Sequence, residues 1–402
     1  MTKNGYAGYI LEMDLTTGTA VRSPLPEAYV QRHYSGKSLA VQLLMEHTDG
    51  TEEALSEENS VVAAAAFFTG TGAPGSCRFD LASLSPKDDL PALSNCGGDF
   101  GVRLKKAGYD ALILKGRAKN PVWLEISGSD VVFHDARELW GLGTGACRKW
   151  MAERGQGKFA SLCIGPAGEH LVKFASVMAD GHSTGRAGLG AVFGWKNLKA
   201  VTVSGQQDLP VFNPEGVLQI NRQRHTRLRE MAPEPVGEGH CRSCPLHCAR
   251  HRQTEEARLN ELGLDAFGAA AARNWAEQQG LPTENLYEDI AFRRGIGDRL
   301  AEGIKESKNK GGKRRGGSYG KIAQAFGLSP EEAATEDFCR NYAEAVSVCG
   351  QCIFTANAFP EACYPLKLLE RVTGQSWDLT QFLALGQHSR NLEKQLKERY
   401  QK

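Results

Sequence analysis

Three cysteines lie close together in the stretch GEGHCRSCPLHCARHR, which covers residues 237–252. They are Cys241, Cys244 and Cys248. This spacing holds three thiolates close enough to bind one metal centre. Tetrahedral zinc needs a fourth ligand, which could come from one of three neighbouring histidines: His240, His247 or His251. A cubane iron–sulfur cluster instead needs four thiolates, commonly three local ones and one from a distant segment.

A second pair of cysteines lies in SVCGQCIF, where Cys349 and Cys352 are candidates for the distant thiolate. Disulfides are the least expected use, because the chain has an odd number of cysteines, eleven, and no recognisable export signal. The order Cys-x-x-Cys-x-x-x-Cys also differs from that of radical enzymes that use S-adenosylmethionine. Spacing therefore favours a cluster over zinc, and it leaves zinc and free buried cysteines open.

The composition excludes several classes of partner. The 48 Lys and Arg residues nearly balance the 47 Asp and Glu residues, so no overall field indicates nucleic acid or an anionic membrane. The first residues, MTKNGYAGYILEMDL, lack the apolar core of a signal peptide, and no apolar run in the sequence is long enough to span a bilayer. We therefore expect a cytoplasmic protein with reduced thiols. The basic stretch KESKNKGGKRRGGS, residues 305–318, is predicted to be a solvated connection, with docking of an acidic redox partner as the alternative.

The elements that position the cysteines change in character near residue 210. Before it, YILEMDL and TAVRSPL predict a hairpin around Thr17-Gly18, and four further stretches predict strands: VVAAAAFF, DALILKG, VWLEISGSDVVFHD and LKAVTVSG. After it, helix starts are predicted at Asn213-Pro214, at residues 329–332 and at Asp378. The predicted fold class is α+β, with a β-rich domain over residues 1–208 and a reduced α-helical region over residues 209–402.

Three glycine-dense stretches in the β-rich part could let the backbone approach a large ligand closely: TGTGAPGSCRFD, SNCGGDFG and GRAGLGAVFGWKNLKAV. Arg78, Asn95 and Arg186 lie in them as donors suited to a phosphate or to the edge of a heterocycle. Ordinary turns are the alternative for any one of them. The stretch GLGTGAC, residues 141–147, is predicted to be a turn entering a helix, because it follows no buried strand and no acidic residue lies at the distance of a dinucleotide site.

The order of these stretches resembles the tungsten-containing aldehyde ferredoxin oxidoreductases. The resemblance covers GYAGYILEMDLTTG, TGTGAPGSCRF, SNCGGDFGVRLKKAGYDALILKG, GRAGLGAVFGWKNLKAV, CRSCPLHC and GIGDRLAEGI, and spans essentially all of residues 5–205. It implies a β-rich domain that holds tungsten or molybdenum between two pterin dithiolenes. It also implies a [4Fe-4S] cluster close to one pterin, which passes electrons to ferredoxin.

The resemblance assigns the cysteines by position. Cys241, Cys244 and Cys248 become the local cluster ligands, Cys352 the fourth, and Cys349 a spare thiol.

The resemblance also assigns the pterin contacts. Arg78 would link the cluster to a pterin by hydrogen bonds. The side chain of Asn95 and the backbone carbonyl of Ala187 would bind the Mg²⁺ that bridges the two pterin phosphates, with Arg186 in the same loop. NELGLD and SVCGQC resemble the two pterin-binding loops, and the positions carried over are Asn260, Gly263, Asp265, Ser347 and Gly350.

The sequence departs from the family where catalysis is expected. After Cys248 comes ARHRQTEEAR in place of a segment whose glutamate lies beside the metal, so Glu255 and Glu256 are candidate replacements, with a solvated acidic pair as the alternative. No counterpart of the family's proton-donating histidine is recognisable, and His388 is predicted to be a surface residue. Catalytic residues therefore stay unassigned. Asn260 and Ser347 also replace the usual aspartates that begin the two pterin loops.

The resemblance thus implies an oxidoreductase that oxidises an aldehyde or related small molecule and passes electrons to ferredoxin or a similar subunit. A non-catalytic accessory or electron-relay subunit of a larger redox complex is the alternative, and a zinc-binding protein without pterin is a third. Family members often form dimers, so the resemblance also allows a homodimer.

Overall fold

The computed structural model describes most of the chain, namely residues 4–154, 158–185, 187–231, 241, 244–245, 254–304, 329, 335–356, 358 and 363–401. Several features named above lie outside these residues: the stretch 305–318, most of the helix start at 329–332, Arg186, Cys248, and the histidines His240, His247 and His251.

Six strands form the first sheet: β1 (Tyr9–Asp14), β2 (Thr19–Pro24), β3 (Val61–Ala65), β4 (Phe79–Leu84), β5 (Pro91–Cys96) and β6 (Ala111–Lys115). Their order is β2-β1-β6-β3-β4-β5, and only β1 and β6 pair in parallel. The predicted hairpin is β1–β2, where Gly18 adopts a positive φ of 68° in the turn. Strands β3 and β4 are buried along their whole length, and all their residues except Asp80 and Ser83 are small or apolar.

Six more strands form the second sheet: β7 (Val122–Ser127), β8 (Asp130–Asp135), β9 (Ala160–Ile164), β10 (Val177–Ala179), β11 (His182–Thr184) and β12 (Leu198–Ser204). Their order is β11-β10-β9-β12-β7-β8, with β12 and β7 parallel. The two sheets share one core, in which Leu81 of the first sheet and Leu162 of the second belong to the same apolar cluster.

Six helices accompany the strands: α1 (Glu27–Gln31), α2 (Lys37–Glu46), α3 (Phe100–Lys106), α4 (Thr144–Glu153), α5 (Pro166–Glu169) and α6 (Leu189–Trp195). Helix α4 begins directly after Gly143, so GLGTGAC enters a helix as predicted.

Beyond residue 205 the described residues form helices: α7 (Pro214–Met231), α8 (Thr254–Leu262), α9 (Ala266–Gln278), α10 (Leu286–Ala291), α11 (Ile296–Ala301), α12 (Glu336–Val348), α13 (Ile353–Ala356), α14 (Tyr364–Thr373) and α15 (Leu379–Arg399). Two predicted helix starts are confirmed. Asn213 Oδ1 accepts a hydrogen bond from the Gly216 amide at 2.7 Å, and Asp378 forms a capping box with Gln381.

These helices cover two sides of the sheets. Helices α12 and α15 pack with α2 over the first sheet in one apolar core, whereas α8 to α11 pack on α5 and α6 in another. The α+β class is therefore confirmed, and the division at residues 208 and 209 stays a prediction. No helix in the part of the chain given above is both long and apolar enough to cross a membrane.

Candidate functional site

The glycine-rich loop between β3 and β4 is hydrogen-bonded through its backbone to the segment that follows α12. The Phe68 amide donates to the Cys349 carbonyl at 3.0 Å, and the Cys352 amide donates to the Gly75 carbonyl at 2.9 Å. Between these two bonds the Arg78 amide donates to the Gly350 carbonyl at 3.4 Å. The stretches TGTGAPGSCRF and SVCGQC, remote in sequence, are thus fastened together along their backbones.

Thiols gather around the side chain of Arg78. Its Nη2 donates to Cys352 Sγ at 3.4 Å. Burial alone would lower the pKa of Arg78, but the Cys352 thiol beside it raises that pKa above its ordinary value. Cys241 also acts on Arg78, and the thiols of Cys77 and Cys241 form a hydrogen-bonded pair. That bond lowers the pKa of Cys241 against the effect of burial, and Arg78 lowers it further.

Cys244 completes this group from the same short segment as Cys241. Its amide donates to the Cys241 carbonyl at 3.1 Å, and its side chain is 9% exposed. Its thiol lies near enough to Cys77 to raise the pKa of that residue. Cys349 differs, because it is buried in the apolar core with α2 and α15, and burial raises its pKa. Cys352 and Cys241 thus both act on Arg78, and Cys244 acts on Cys77, whereas Cys349 lies apart in the apolar core.

The donor set of this group fits an iron–sulfur cluster. Soft thiolates are the ligands such clusters use, and the cation of Arg78 suits their negative charge. Among the residues for which positions are given, no three His, Cys, Asp or Glu side chains are close enough to hold a single metal ion. The fourth predicted thiol, Cys248, lies outside those residues.

Asn95, the predicted magnesium ligand, lies exposed on β5 with its amide nitrogen occupied. Nδ2 donates to Asp80 Oδ1 at 3.1 Å and lies 3.5 Å from Ser347 Oγ. Asp80 is 1% exposed, and burial raises its pKa to about 7. Because the nitrogen is held by Asp80, the side-chain oxygen of Asn95 is directed away from it and suits a hard cation. Asp80 thus orients Asn95.

The loop carrying Ala187 lies near the same end of β5. Thr184 Oγ1 donates to Ser94 Oγ at 3.2 Å, which brings the end of β11 next to Asn95. Ala187 itself has a positive φ of 71°, an uncommon conformation for a residue with a side chain. Such strain is typical of functional loops. Arg186 is outside the described residues.

The loop NELGLD joins α8 to α9 and lies beside the segment between β9 and β10. Gly263 has a φ of 73°, its carbonyl accepts from the Ser176 amide at 2.8 Å, and a Cβ at this position would lie 2.7 Å from the Gly165 nitrogen. Asp265 caps α9 by accepting from the Gly268 amide at 3.0 Å. The Asn260 carbonyl accepts from Thr144 Oγ1. These bonds fix the loop against α4 and α5.

The candidate replacements for the family glutamate do not face the thiols as free bases. Glu255 lies 2.5 Å from Arg273 Nη1 and accepts from the Tyr287 hydroxyl at 2.6 Å. The Tyr287 hydroxyl, and then Arg273, lower the pKa of Glu255. Glu256 is exposed. His388 is exposed as predicted, with its ring stacked on Tyr34 at 5.3 Å.

Sequence reasoning missed Cys77 and Asp80. Cys77 precedes Arg78 directly, and its contact with Cys241 depends on tertiary packing. Asp80 lies in β4, where every residue is buried. Because an acidic residue normally indicates an exposed position, the sequence pattern did not reveal that Asp80 is buried. An unpaired acid in an apolar strand was the available signal.

Comparisons with known proteins agree with this geometry. Residues 10–205 match the aldehyde ferredoxin oxidoreductase N-terminal domain. The tungsten-containing aldehyde ferredoxin oxidoreductase of Pyrococcus furiosus is 36% identical over 289 residues, which are 71% of this chain and 44% of that protein. The WOR-like subunit of an aliphatic sulfonate oxidoreductase from the same organism is 33% identical over 56% of this chain and 39% of its own length. The chain thus spans less than half the length of either relative.

A solved structure has the same fold. One chain of the BamBC active-site complex of benzoyl coenzyme A reductase superposes with a TM-score of 0.79, covering 99% of this chain and 89% of that one at 21% identity. At this identity the likeness concerns the fold alone. Together with the match over residues 10–205, the sequence identities confirm the resemblance read from the motifs. The chain therefore contains the N-terminal domain of the aldehyde ferredoxin oxidoreductase family over residues 10–205, and it is similar to the tungsten-containing members of that family.

Proposed function

We propose that the protein is a cytoplasmic oxidoreductase with a tungsten or molybdenum bis-pterin centre and a [4Fe-4S] cluster. It would oxidise an aldehyde or a related small molecule and pass the electrons to ferredoxin or a ferredoxin-like subunit. The observation that carries the proposal is the pair of thiols at Arg78, which donates a hydrogen bond to Cys352 Sγ at 3.4 Å and is also acted on by Cys241. When bound, the metal centre would accept two electrons from a substrate carbon and the cluster would release them singly.

The residues of this chain would hold and orient these groups. Arg78 donates to Cys352 with one nitrogen, and its remaining guanidinium donors suit an anionic pterin edge. Asn95, held by Asp80, would present its oxygen to the Mg²⁺ that bridges the pterin phosphates, together with the Ala187 carbonyl. Cys77, Cys96, Cys147, Cys163, Cys349 and Cys352 form no disulfide, which supports a reducing compartment.

The state of Glu255 favours a second candidate function. Its carboxylate is engaged by Arg273 and Tyr287, so it is poorly placed to accept a proton from substrate. An accessory or electron-relay subunit would need the thiols and the pterin contacts without such a base. A partner chain, or a second copy of this chain, would then complete the catalytic pocket.

Metal analysis of protein purified without oxygen tests the proposal. Iron, sulfide, tungsten, molybdenum, zinc and released pterin would be measured per chain in the wild type and in two matched variants, Cys352→Ala and Cys349→Ala. We expect about four irons, one tungsten or molybdenum and two pterins in the wild type. Cys352→Ala should lose iron, whereas Cys349→Ala should keep it.

Electron transfer from aldehydes to a viologen separates the two functions. Turnover by the isolated chain with a full metal complement supports the enzyme. Cofactors without turnover, restored by a partner protein, support the accessory function. Zinc without iron or pterin contradicts both.

A further inference from the structure

Arg224 on α7 is a buried cation in an otherwise solvated basic helix. Its side chain is 0% exposed and is the largest of the fully buried side chains among the described residues. It occupies the inward stripe of the helix with Val217, Ile220 and Leu228, where an apolar residue is expected. Its neighbour Arg222 points to solvent. The helix therefore places one particular arginine inside the protein.

The contacts of Arg224 with the described residues are with neutral groups. Its guanidinium carbon lies 5.1 Å from the centroid of the Tyr364 ring, and Nη2 donates to the Thr355 carbonyl at 3.5 Å. With the Gln351 amide turned so that its oxygen faces the guanidinium, that oxygen accepts from Nη1 at 2.7 Å. Nε has no hydrogen-bond partner, and no carboxylate pairs with Arg224, in the portion of the chain that is described.

Such a cation is costly unless a negative charge accompanies it. Removing an unpaired charge from water is strongly unfavourable, and neutral acceptors offset only part of that loss. Burial lowers the pKa of Arg224 to about 10, so the side chain still carries its positive charge at neutral pH. The fold therefore keeps a buried positive charge whose negative partner is not a carboxylate of the described residues.

The neighbouring thiols indicate what that partner is. Gln351, which accepts from Arg224, directly precedes Cys352 in the chain. The Cys244 thiol also acts on Arg224 by raising its pKa. One described candidate ligand, Cys244, thus acts on this cation, and a second, Cys352, follows the residue that accepts its hydrogen bond. A cluster held by four thiolates carries net negative charge, which increases by one unit when it is reduced.

We propose that Arg224 is the buried counter-charge of the iron–sulfur cluster and favours its reduced state. This inference rests on the cluster of the proposed function. The cluster takes up one electron and Arg224 exchanges no proton, so the effect is electrostatic. Arg224 is a positioning residue that sets a reduction potential, and the midpoint of the couple should not depend on its titration at neutral pH.

The size of the effect follows from a unit charge roughly 12 Å from the cluster. At the effective dielectric constant of about 20 that applies inside proteins, removing a charge at that distance changes the reduction equilibrium by about tenfold. For a one-electron couple, tenfold corresponds to ~59 mV. We expect the variant without the charge to be harder to reduce by this amount.

Three substitutions separate charge from packing. Arg224→Gln removes the charge and keeps hydrogen-bonding groups, Arg224→Lys keeps the charge, and Arg222→Gln removes a charge from the exposed face of the same helix. Each protein would be purified without oxygen and titrated with dithionite and redox mediators. The reduced cluster would be followed by electron paramagnetic resonance, and iron, tungsten, pterin and melting temperature would be measured on the same samples.

In Arg224→Gln we expect a lower midpoint potential, corresponding to a reduction equilibrium constant about tenfold smaller than that of the wild type. In Arg224→Lys and Arg222→Gln this constant should stay within about twofold of the wild-type value. Loss of iron in Arg224→Gln with retention in Arg224→Lys also supports the inference, because charge is then what retains the cluster. An unchanged midpoint in Arg224→Gln overturns it. Equal shifts, equal loss of iron or equal unfolding in the Gln and Lys variants overturn it too, since shape would then be the cause.

The same samples distinguish this inference from the proposed function. Four irons without tungsten, molybdenum or pterin refute the bis-pterin centre and leave the test of Arg224 intact. A full cofactor complement with an unchanged midpoint refutes the role of Arg224 alone. A wild type that contains no iron overturns both.

Discussion

The substitution Gly97→Ala tests whether Cys241 binds iron. Gly97 lies in the loop between β5 and α3, and a Cβ built there would be 2.5 Å from Cys241 Sγ and 3.7 Å from Cys77 Sγ. Ordinary van der Waals contact requires roughly 3.5–4.0 Å, so the sulfur must move by about 1 Å or more. Metal–sulfur bonds tolerate deviations of only about 0.2 Å. The methyl group should therefore detach Cys241 from its iron.

The assay is the iron content and the visible charge-transfer absorption of protein purified without oxygen. We expect Gly97→Ala to fall from about four irons per chain to about three or fewer, with weaker absorption. The circular dichroism spectrum should stay that of the folded wild type, since Gly97 does not require a positive φ.

Gly128→Ala provides the matched control. Gly128 lies in the turn between β7 and β8, with a φ of 59° and nothing within 4 Å of an added Cβ. The left-handed backbone makes this change cost about 1–2 kcal/mol of stability, and it should leave the iron untouched. Wild-type iron and absorption in Gly97→Ala would refute the assignment of Cys241 as a cluster ligand.

Three further predictions concern stability and the acid–base residues. Burial lowers the pKa of Lys105 to about 8, so between pH 8 and about 10.4 the unfolded chain holds a proton that the folded protein lacks. The unfolding free energy of the wild type should therefore rise by about 3 kcal/mol across that pH range relative to that of Lys105→Met. In denaturant titrations, the unfolding free energy of the control Lys106→Met should show the same rise as the wild type. Glu255→Gln should change stability by only about 0–1 kcal/mol and leave viologen reduction unchanged, because Glu255 is a half-exposed ion-pair partner; a hundredfold loss of turnover would contradict this. Gly386→Ala should destabilise the protein by about 1–3 kcal/mol in thermal unfolding, because its methyl group would overlap the Asn341 carbonyl where α15 crosses α12.

Local sequence signals were sufficient to predict the turns and helix starts that depend only on residues close together in the chain. The β1–β2 hairpin and the caps at Asn213 and Asp378 all depend on neighbours in the chain, and the structure has them as predicted. The grouping of Arg78 with Cys352 was accessible only through the family resemblance, because nothing local joins β4 to the segment after α12.

The buried charges could not be read from the sequence. Arg224 stands in NRQRHTRLRE, where the surrounding charged residues indicate a solvated helix, and only tertiary packing turns it inward. Asp80 and Lys105 likewise look like surface residues in their own segments, yet both are buried. Such positions depend on which neutral atoms and which cofactors fill the space around them, and no propensity or periodicity contains that information.

The backbone bonds that fasten the Gly75 loop to Cys352 have a consequence for how the protein matures. A growing chain emerges from its N-terminus, so both sheets and the segment of Cys241 are synthesised long before Cys352. Until Cys352 has been synthesised, the glycine-rich loop between β3 and β4 lacks the backbone hydrogen-bond partners that residues 349–352 provide. The proposed iron and pterin would therefore enter only after α12 has been made. Because a ligand that binds only the closed form stabilises it, cofactor loading would act as the last folding step and would mark a finished chain.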